Sequence, residues 1–397
     1  MKIPTSKYDK AFLLNKALKN IKEFLPRIIS NSFSGSSPPE IFIGQHGYPQ
    51  VFTGILAPLG HLEDAQKLSS PEDWFKNNLD IQQILQLRSS LIYSRFKTQI
   101  KPQTNKLLEV LQETSMAKKP TDIEFFLKKP PKPKINLDNF VNPLANPASL
   151  QKAKLQENPS VDTIVEKVVS DTDLKAVDAI SKLYKSSKTS SEIIKLLSSG
   201  LLGIKIQRKL VPTKWSITAV DDTISKQLLS QIKNYSWINE YLLFHHEYSG
   251  NHYEIILLPK EWGFEVIEAE SRNSYPTQNN ILIFSDYEDF YGRKDYASNV
   301  TGAYYSNKIA ICEYLSKIKK QASVLVLREV KPEYFAPLGV GILRETTRFA
   351  FTKSPEKFLT LKEALNKAQT RLTIDINKLI ESSKLLKSLH QTKLTMF

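Results

Sequence analysis

The spacing of apolar residues along the chain predicts a mixture of helices and strands. Apolar side chains recur every three or four residues, as in an amphipathic helix, in 10–29, 161–169, 174–184, 190–197 and 300–320. Short runs rich in β-branched and aromatic residues predict strands at 40–43, 51–53, 241–248, 252–258, 262–270, 281–284 and 324–327. The sequence therefore predicts an α+β (mixed α/β) fold, in which helices surround a mixed β-sheet core.

Turn and capping residues mark the boundaries of several predicted elements. Ser249-Gly250-Asn251 predicts a tight hairpin turn between the strands at 241–248 and 252–258. Asp80 is expected to cap a helix. A capping box that begins at Thr360 is expected to open a long C-terminal helix.

The stretch 208–222 combines charged and apolar residues in an order that suggests chemistry. It opens with three cations, continues through a β-rich apolar segment at 215–220, and ends on Asp221 and Asp222. We expect a strand at 215–220 and a helix at 223–229 that one of the aspartates caps. A strand that feeds a helix with charged groups at the joint often carries the chemistry of an α/β domain. The alternative interpretation is a basic loop, a buried strand and a capping aspartate.

Net charge indicates the kind of partner. The chain has 397 residues and a formal charge of +14, and an excess of Lys and Arg favours nucleic acid or an anionic membrane surface. No apolar run approaches the roughly 20 residues that a membrane span needs, and the N-terminus has no signal-peptide core. We therefore expect a cytoplasmic protein with no membrane partner.

No sequence pattern marks a metal cluster. The single cysteine, Cys312, excludes an intrachain disulfide and a cysteine-based zinc site. His245, His246, Glu247 and His252 lie at the end of the predicted hairpin, but their spacing matches no zinc motif. The sequence therefore predicts no metal site here.

Lysine and proline dominate the segment 118–160, in which 128–134 reads Lys-Lys-Pro-Pro-Lys-Pro-Lys. Proline removes backbone donors and like charges repel, so we expect an extended linker or crossover. This segment would separate an N-terminal α+β domain at 1–117 from a mixed α/β domain at 161–385. A tail at 386–397 would follow.

Charged residues at the predicted strand ends are the candidates for chemistry. Asp221, Asp222 and Asp286 could hold a divalent cation such as Mg²⁺ if their strands are neighbours, and Glu329 is a further catalytic candidate. The alternative is a set of scattered ion pairs of little energetic weight. Basic and small polar residues are the candidates for binding nucleic acid or phosphate: Ser34, Gly35, Ser36, Ser37, Arg208, Lys209, Lys214, Trp215, Arg293, Arg328 and Arg344.

Linear blocks of the chain resemble conserved regions of the archaeal Nre (NreA-type) DNA-repair family. The blocks are 33–39, 47–49, 208–223, 285–288, 292–293, 304–305 and 328–334. The resemblance covers most of the chain and implies a role in DNA damage repair, with a C-terminal peptide that binds the sliding clamp (PCNA). Many members carry a four-cysteine zinc motif near the N-terminus, which this chain lacks. The resemblance implies a pathway rather than a reaction, so whether the protein is an enzyme stays open.

The last seven residues match the clamp-binding pattern. Gln391, Leu394 and Phe397 are spaced by three, so a 3₁₀ turn would present their side chains on one side. Leu394 and Phe397 would fill a hydrophobic pocket, and Met396 would occupy part of the space of the missing second aromatic. The alternative is a frayed helix end.

These observations favour a DNA-damage repair factor, cytoplasmic and nucleoid-associated, that binds DNA and is recruited to the clamp. A metal-dependent enzyme acting on DNA or a nucleotide at an Asp221/Asp222/Asp286 cleft is the second hypothesis. A non-catalytic adaptor that brings a repair partner to the clamp is the third.

Overall fold

Two six-stranded sheets organise the chain, one in each of two units. The computed structural model describes residues 10–21, 26, 30–101, 105–271 and 281–390. The N-terminal unit comprises Lys16–Ile224 and Pro337–Ile342; the C-terminal unit comprises Met1–Asn15, Ser225–Ala336 and Leu343–Phe397. Both combine a sheet with helices, which confirms the predicted α+β class. No helix among the described residues is long and apolar enough to cross a membrane.

The N-terminal sheet has the strand order β1-β5-β8-β4-β3-β2. Its strands are β1 Ser32–Ser37, β2 Glu40–Ile43, β3 Gln50–Pro58, β4 Leu91–Gln99, β5 Thr121–Leu127 and β8 Pro147–Leu155, and a small pair is formed by β6 Ile135–Asn136 and β7 Leu144–Ala145. Strands β4 and β8 run parallel and pair only where Tyr93–Arg95 meets Pro147–Ser149. The other neighbours are antiparallel.

The helices of this part of the chain are α1 Lys10–Ile21, α2 Pro71–Lys76, α3 Ile81–Ser89, α4 Lys106–Met116, α5 Thr163–Ser170, α6 Ala176–Lys185, α7 Ser190–Ser198 and α8 Thr213–Ile232. Asp80 caps α3 through the amide of Gln83 at 2.8 Å, as predicted. Leu108 and Leu111 of α4 join the hydrophobic core on one face of the sheet.

The segment 118–160 contains two strands of the sheet, β5 and β8, where the sequence predicts a linker. In β5, Thr121, Ile123, Phe125 and Leu127 alternate with more exposed residues and are buried. This period of two is the signature of a half-buried strand. Lysine and proline therefore dominate only the connection between the two strands.

The C-terminal sheet has the strand order β12-β11-β13-β10-β9-β14. Its strands are β9 Tyr241–Tyr248, β10 Asn251–Leu258, β11 Gly263–Ser271, β12 Ile281–Glu288, β13 Ser323–Val330 and β14 Glu356–Phe358. The predicted hairpin is present as β9 and β10, and Ser249 and Gly250 both have positive φ at its turn. Strands β11 and β13 run parallel.

Five helices follow in the sequence of this part of the chain: α9 Gly302–Ile318, α10 Val340–Ala350, α11 Leu361–Gln369, α12 Ile376–Ile380 and α13 Lys384–His390. The capping box at Thr360 is present, but it opens a short helix instead of a long one. Asp375 caps the separate helix α12 through the amide of Asn377. Side chains of α11, α12 and α13 share a hydrophobic core with the sheet.

Candidate functional site

The stretch 208–222 enters helix α8 rather than a strand. Helix α8 begins at Thr213, so Asp221 and Asp222 lie inside it and do not cap a following helix. Ile217, Val220 and Ile224 are buried at intervals of three and four residues, which is helical spacing. The strand predicted at 215–220 from β-propensity is therefore wrong. The helical periodicity of burial over the longer segment 213–232 decides the structure instead.

Three chain segments meet at one end of the N-terminal sheet. The amide of Ile100 donates to the carbonyl oxygen of Pro49 at 3.0 Å, and the amide of Leu210 donates to the carbonyl oxygen of Ile100 at 2.7 Å. The three segments thus continue the sheet as a short ladder. Lys101 follows Ile100 in the sequence, and Lys209 precedes Leu210. The ladder therefore brings two exposed lysines to the same end of the sheet.

An exposed aromatic pair lies beside this ladder. The ring centroids of Tyr48 and Trp215 are 5.1 Å apart, and the rings are tilted by 51°. Lys214, next to Trp215, places its ammonium group 4.0 Å from the centre of the Phe140 ring and 3.7 Å from Oδ2 of Asp138. Helix α8 therefore exposes Trp215 at the surface, and the two contacts of Lys214 fix the position of the adjacent lysine.

A groove of about 1560 Å³ lies where strands β4 and β8 stop pairing. Its walls include the end of β4, the start of α4 and the end of β8. The groove is lined by four lysines, Lys101, Lys106, Lys152 and Lys154. We call this feature, with its four lysines, the lysine groove.

The lysine groove is electropositive on the sheet side. Among the described residues, no carboxylate lies within ion-pair distance of any of its four lysines. The ammonium group of Lys152 lies 5.7 Å from the centre of the Phe126 ring, which also lines the groove. Two glutamates, Glu109 and Glu113, line the helix side. The groove therefore combines four lysines and an aromatic ring with two carboxylates of α4, and Lys106 lies on the helix side with those carboxylates.

A second row of lysines extends along β8. The amide of Lys128 donates to the carbonyl oxygen of Ser149 at 2.8 Å, and that of Lys132 donates to the carbonyl oxygen of Pro147 at 3.2 Å. These bonds hold the 128–134 segment against the strand, with its four lysines exposed. The Lys-Pro run thus adds charge along the start of β8, whose other end lines the lysine groove.

The Ser34–Ser37 stretch, predicted to cradle an anion, forms most of strand β1. Ser36 Oγ donates to Asp122 Oδ1 at 2.6 Å and accepts from the amide of Leu62 at 3.0 Å. Ser37 Oγ donates to the carbonyl oxygen of Leu56 at 2.8 Å. A Cβ on Gly35 would lie 1.9 Å from the carbonyl oxygen of Pro58. Two of the three hydroxyls therefore serve the fold, and the glycine permits a close backbone approach.

Arg208 also serves the fold. Its guanidinium donates to three backbone carbonyl oxygens, those of Gly203 at 2.7 Å, Asp171 at 2.8 Å and Val169 at 2.9 Å. Burial lowers the pKa of this guanidinium below its ordinary value. Arg208 thus ties the end of α5 to the loop before α8, whereas its neighbour Lys209 is exposed.

In the C-terminal unit, Asp286 is buried and holds a loop. Its Oδ2 accepts from the amides of Val300 at 2.7 Å and Asn299 at 2.9 Å, and Arg293 Nη1 lies 3.1 Å from its Oδ1. Asp286 and Arg293 therefore form an ion pair. Arg293 also donates to the carbonyl oxygen of Tyr287 at 2.9 Å.

Asp286 and Glu329 lie on opposite faces of the C-terminal sheet. Asp286 pairs with Val266, and Val266 pairs with Val326, so these three share a face. Glu329 is three positions beyond Val326 and, by the alternation of a strand, points to the other face. The two carboxylates therefore cannot bind one metal ion together. Asp221 and Asp222 belong to the N-terminal unit.

Glu329 and Arg328 have separate partners. Glu329 accepts hydrogen bonds from the amide and the hydroxyl of Thr373. Arg328 donates to Glu268 Oε2 and to Asn251 Oδ1, each at 2.5 Å. Arg344, the remaining basic candidate, is buried on α10. Of the predicted phosphate-binding residues, Lys209 and Trp215 are therefore the ones that the structure leaves most exposed.

The predicted clamp-binding residues Gln391, Leu394, Met396 and Phe397 lie outside the described residues. The lysine groove was not predicted from the sequence. The sequence feature that could have revealed the groove is the alternation of lysines with Ala153 in β8. This alternation indicates a half-exposed strand with a basic face.

Comparison with known proteins shows the family. Residues 10–276 match the family model described as Archaeal Nre, N-terminal, and residues 288–397 match Archaeal Nre, C-terminal.

The chain is 37% identical over 370 residues to the DNA repair protein NreB of Archaeoglobus fulgidus, covering 93% of each chain. It is 37% identical over 357 residues to the DNA repair protein NreA of that organism, covering 89% of this chain and 88% of the relative. It is 33% identical over 370 residues to the DNA repair protein NreA of Haloferax volcanii, covering 91% of this chain and 88% of the relative. No solved structure matches the chain significantly. The chain therefore belongs to the archaeal Nre family.

Proposed function

We propose that this protein acts in DNA repair by binding single-stranded or locally opened DNA and that the sliding clamp (PCNA) recruits it through 391–397. The relatives named above are DNA repair proteins. The observation that carries the DNA-binding part is the lysine groove, with an exposed aromatic pair at the same end of the sheet.

The chemistry of this surface favours single strands over duplex DNA. Lysines along a groove neutralise backbone phosphates without reading sequence. The exposed ring of Trp215, supported by Tyr48, offers a flat surface on which an unpaired base can stack. Duplex DNA keeps its bases stacked on one another and leaves only the phosphate contacts available. The proposed ligand is therefore a single strand, a frayed end or a fork.

Clamp recruitment rests on the sequence of the tail. Gln391, Leu394 and Phe397 have the spacing of a clamp-binding peptide. Lysines at 384 and 387 precede this pattern, Lys393 lies within it, and all three would favour an acidic partner surface. Together, the two parts describe a factor that the clamp holds near DNA during repair.

Fluorescence anisotropy with labelled DNA tests the proposal. The full chain is titrated into a single strand, a duplex and a fork between about 50 mM and 200 mM salt. We expect the fork and the single strand to bind more tightly than the duplex, with affinity falling steeply as salt rises. Negligible binding to all three at the lowest salt would refute the DNA-binding part.

A further inference from the structure

Four ionisable side chains converge on one face of the C-terminal sheet. In the β9–β10 hairpin, His245 pairs with Glu254 and Glu247 pairs with His252. The alternation of both strands places all four side chains on the same face. The two-residue hairpin turn aligns these positions, so residues five and nine positions apart become cross-strand neighbours. The site lies wholly in the C-terminal unit and goes beyond the proposed DNA-binding function.

The cluster is buried at its centre and open on one side. Glu254 is 0% and His252 2% exposed, whereas the side chain of His245 is 32% exposed. The rings of His245 and His252 lie 4.8 Å apart between centroids. A carboxylate and an imidazole are therefore withdrawn from water, and a second imidazole stands between them and the solvent.

One oxygen of Glu254 is the meeting point of the cluster. Its Oε1 lies 2.9 Å from His252 Nε2, 3.2 Å from His245 Nδ1 and 2.8 Å from Arg371 Nε. His245 Nδ1 is buried and faces Glu254 Oε1 at 3.2 Å, at an angle that does not make a regular hydrogen bond. A buried imidazole nitrogen whose contact is poorly aligned is costly unless something else occupies it.

We propose that His245 Nδ1, His252 Nε2 and Glu254 Oε1 bind a divalent transition-metal ion of the zinc class. In a tetrahedral zinc site with bonds of about 2.0–2.1 Å, neighbouring ligand atoms lie roughly 3.3 Å apart. The two distances to Glu254 Oε1 are 2.9 and 3.2 Å, and the three ligand atoms all lie within 4.8 Å of one another. The two distances to the carboxylate oxygen are therefore close to the spacing that a metal requires, and binding would bring the two imidazole nitrogens to the same spacing.

The surrounding residues complete the site. Glu247 Oε2 lies 2.9 Å from His252 Nδ1 and 2.7 Å from Lys331 Nζ. A carboxylate at the far nitrogen of an imidazole orients the near nitrogen toward a metal and raises its basicity. Arg371 Nη2 lies 2.8 Å from Glu254 Oε2, so this contact can persist when Oε1 binds a metal. Two imidazole nitrogens and one carboxylate oxygen favour zinc over magnesium or calcium, which prefer oxygen ligands throughout.

Three protein ligands leave a fourth position open to a water molecule or a small ligand on the side where His245 is exposed.

The competing interpretation is a set of ion pairs in which His252 carries two protons and bridges Glu247 and Glu254. The two interpretations differ in what they predict for zinc, because only the metal site requires zinc uptake and its loss when His245 is removed.

The test is zinc binding by the full chain after removal of metal with a chelator. Competition with a chromophoric chelator should show one equivalent of Zn²⁺, and His245→Ala should weaken that binding by more than about tenfold. His246→Ala is the matched control, because His246 points to the other face of β9, where its ring packs 4.6 Å from that of Phe349. Zinc should also raise the unfolding temperature of the wild type and not of His245→Ala, whose far-UV circular dichroism verifies its fold. Failure of the wild type to take up zinc at micromolar concentration, or equal uptake by His245→Ala and the wild type, would overturn the proposal.

Discussion

The ring of Trp215 rests against the ring of Tyr48, with 5.1 Å between their centroids. Both side chains stay accessible, at 45% and 42% exposure, so the contact orients the indole without covering it. Tyr48 comes from the turn before β3 and Trp215 from the first turn of α8. Two blocks that are distant in sequence thus build one aromatic surface at the end of the N-terminal sheet.

Trp215→Ala should weaken binding to single-stranded DNA by about tenfold, because the stacking of one base on an aromatic ring contributes 1–3 kcal/mol. Duplex binding should change less. The measurement is anisotropy with both DNAs at one salt concentration. Trp237→Ala is the control, since Trp237 is 51% exposed but lies in the C-terminal unit. Equal losses in the two variants would argue against a stacking role for Trp215.

Ser36→Ala should lower stability and leave DNA affinity unchanged. Its hydroxyl donates to Asp122 and accepts from the amide of Leu62, and loss of a buried hydrogen-bonding group costs about 1–3 kcal/mol. Urea unfolding measures the loss. Ser34→Ala, which removes a more exposed hydroxyl of the same strand, should have a smaller effect. Weaker DNA binding by a Ser36→Ala protein of unchanged stability would instead support the anion cradle expected from the sequence.

Acid should abolish the contribution of Asp162 to stability. Hydrogen bonds from Lys188 and Lys118 hold the pKa of this carboxyl below its ordinary value. A carboxyl whose folded pKa is lowered stabilises the fold above the unfolded pKa of about 3.9, and this stabilisation is lost as the pH falls through the folded pKa.

Asp162→Asn should therefore be less stable than the wild type at pH 7, by at most about 1 kcal/mol, and the difference should vanish at strongly acidic pH. Urea unfolding at both pH values measures it. A difference that persists unchanged in acid would show that Asp162 acts through packing and not through its charge.

Removal of the tail should abolish clamp binding. A chain that ends at His390 lacks the whole pattern, and Phe397→Ala lacks the aromatic residue that would fill the pocket. Calorimetry with the host sliding clamp should show no binding for the truncated chain and more than a tenfold loss for Phe397→Ala, about 1.4 kcal/mol or more. Thr395→Ala is a suitable control, because its side chain is outside the three-residue spacing. Undiminished binding by the truncated chain would exclude the tail as the clamp ligand.

Local sequence signals predicted much of the fold. Asp80 and Thr360 cap helices because capping depends on residues within one turn. The β9–β10 hairpin follows from its two-residue turn. Strand β1 could not be predicted in this way, since Ser32–Ser37 is extended through pairing with β5, far along the chain. A serine-rich stretch with one glycine carries no strand signal of its own.

The candidate site, too, was only partly predictable from local sequence signals. The sequence identifies Lys214 and Trp215 as candidate binding residues, and it also shows the lysines of 128–134 as a basic run. It does not show that β4 and β8 are parallel neighbours, nor that the groove lies where their pairing ends. Likewise, the histidines of β9 and β10 match no linear zinc motif. Glu254 joins them only through the register of the hairpin.

The salt dependence of single-stranded DNA binding by Lys152→Ala/Lys154→Ala tests the central claim most directly. Each phosphate contact adds about 0.7 to the magnitude of the slope of log affinity against log salt. We therefore predict a slope lower in magnitude by about 1.4 and an affinity roughly tenfold weaker at low salt. Lys317→Ala/Lys362→Ala removes the same charge from exposed positions of the C-terminal unit and should retain the wild-type slope. If the lysine-groove variant keeps the wild-type slope and affinity, or if both double variants lose them equally, the groove is not where this protein binds DNA.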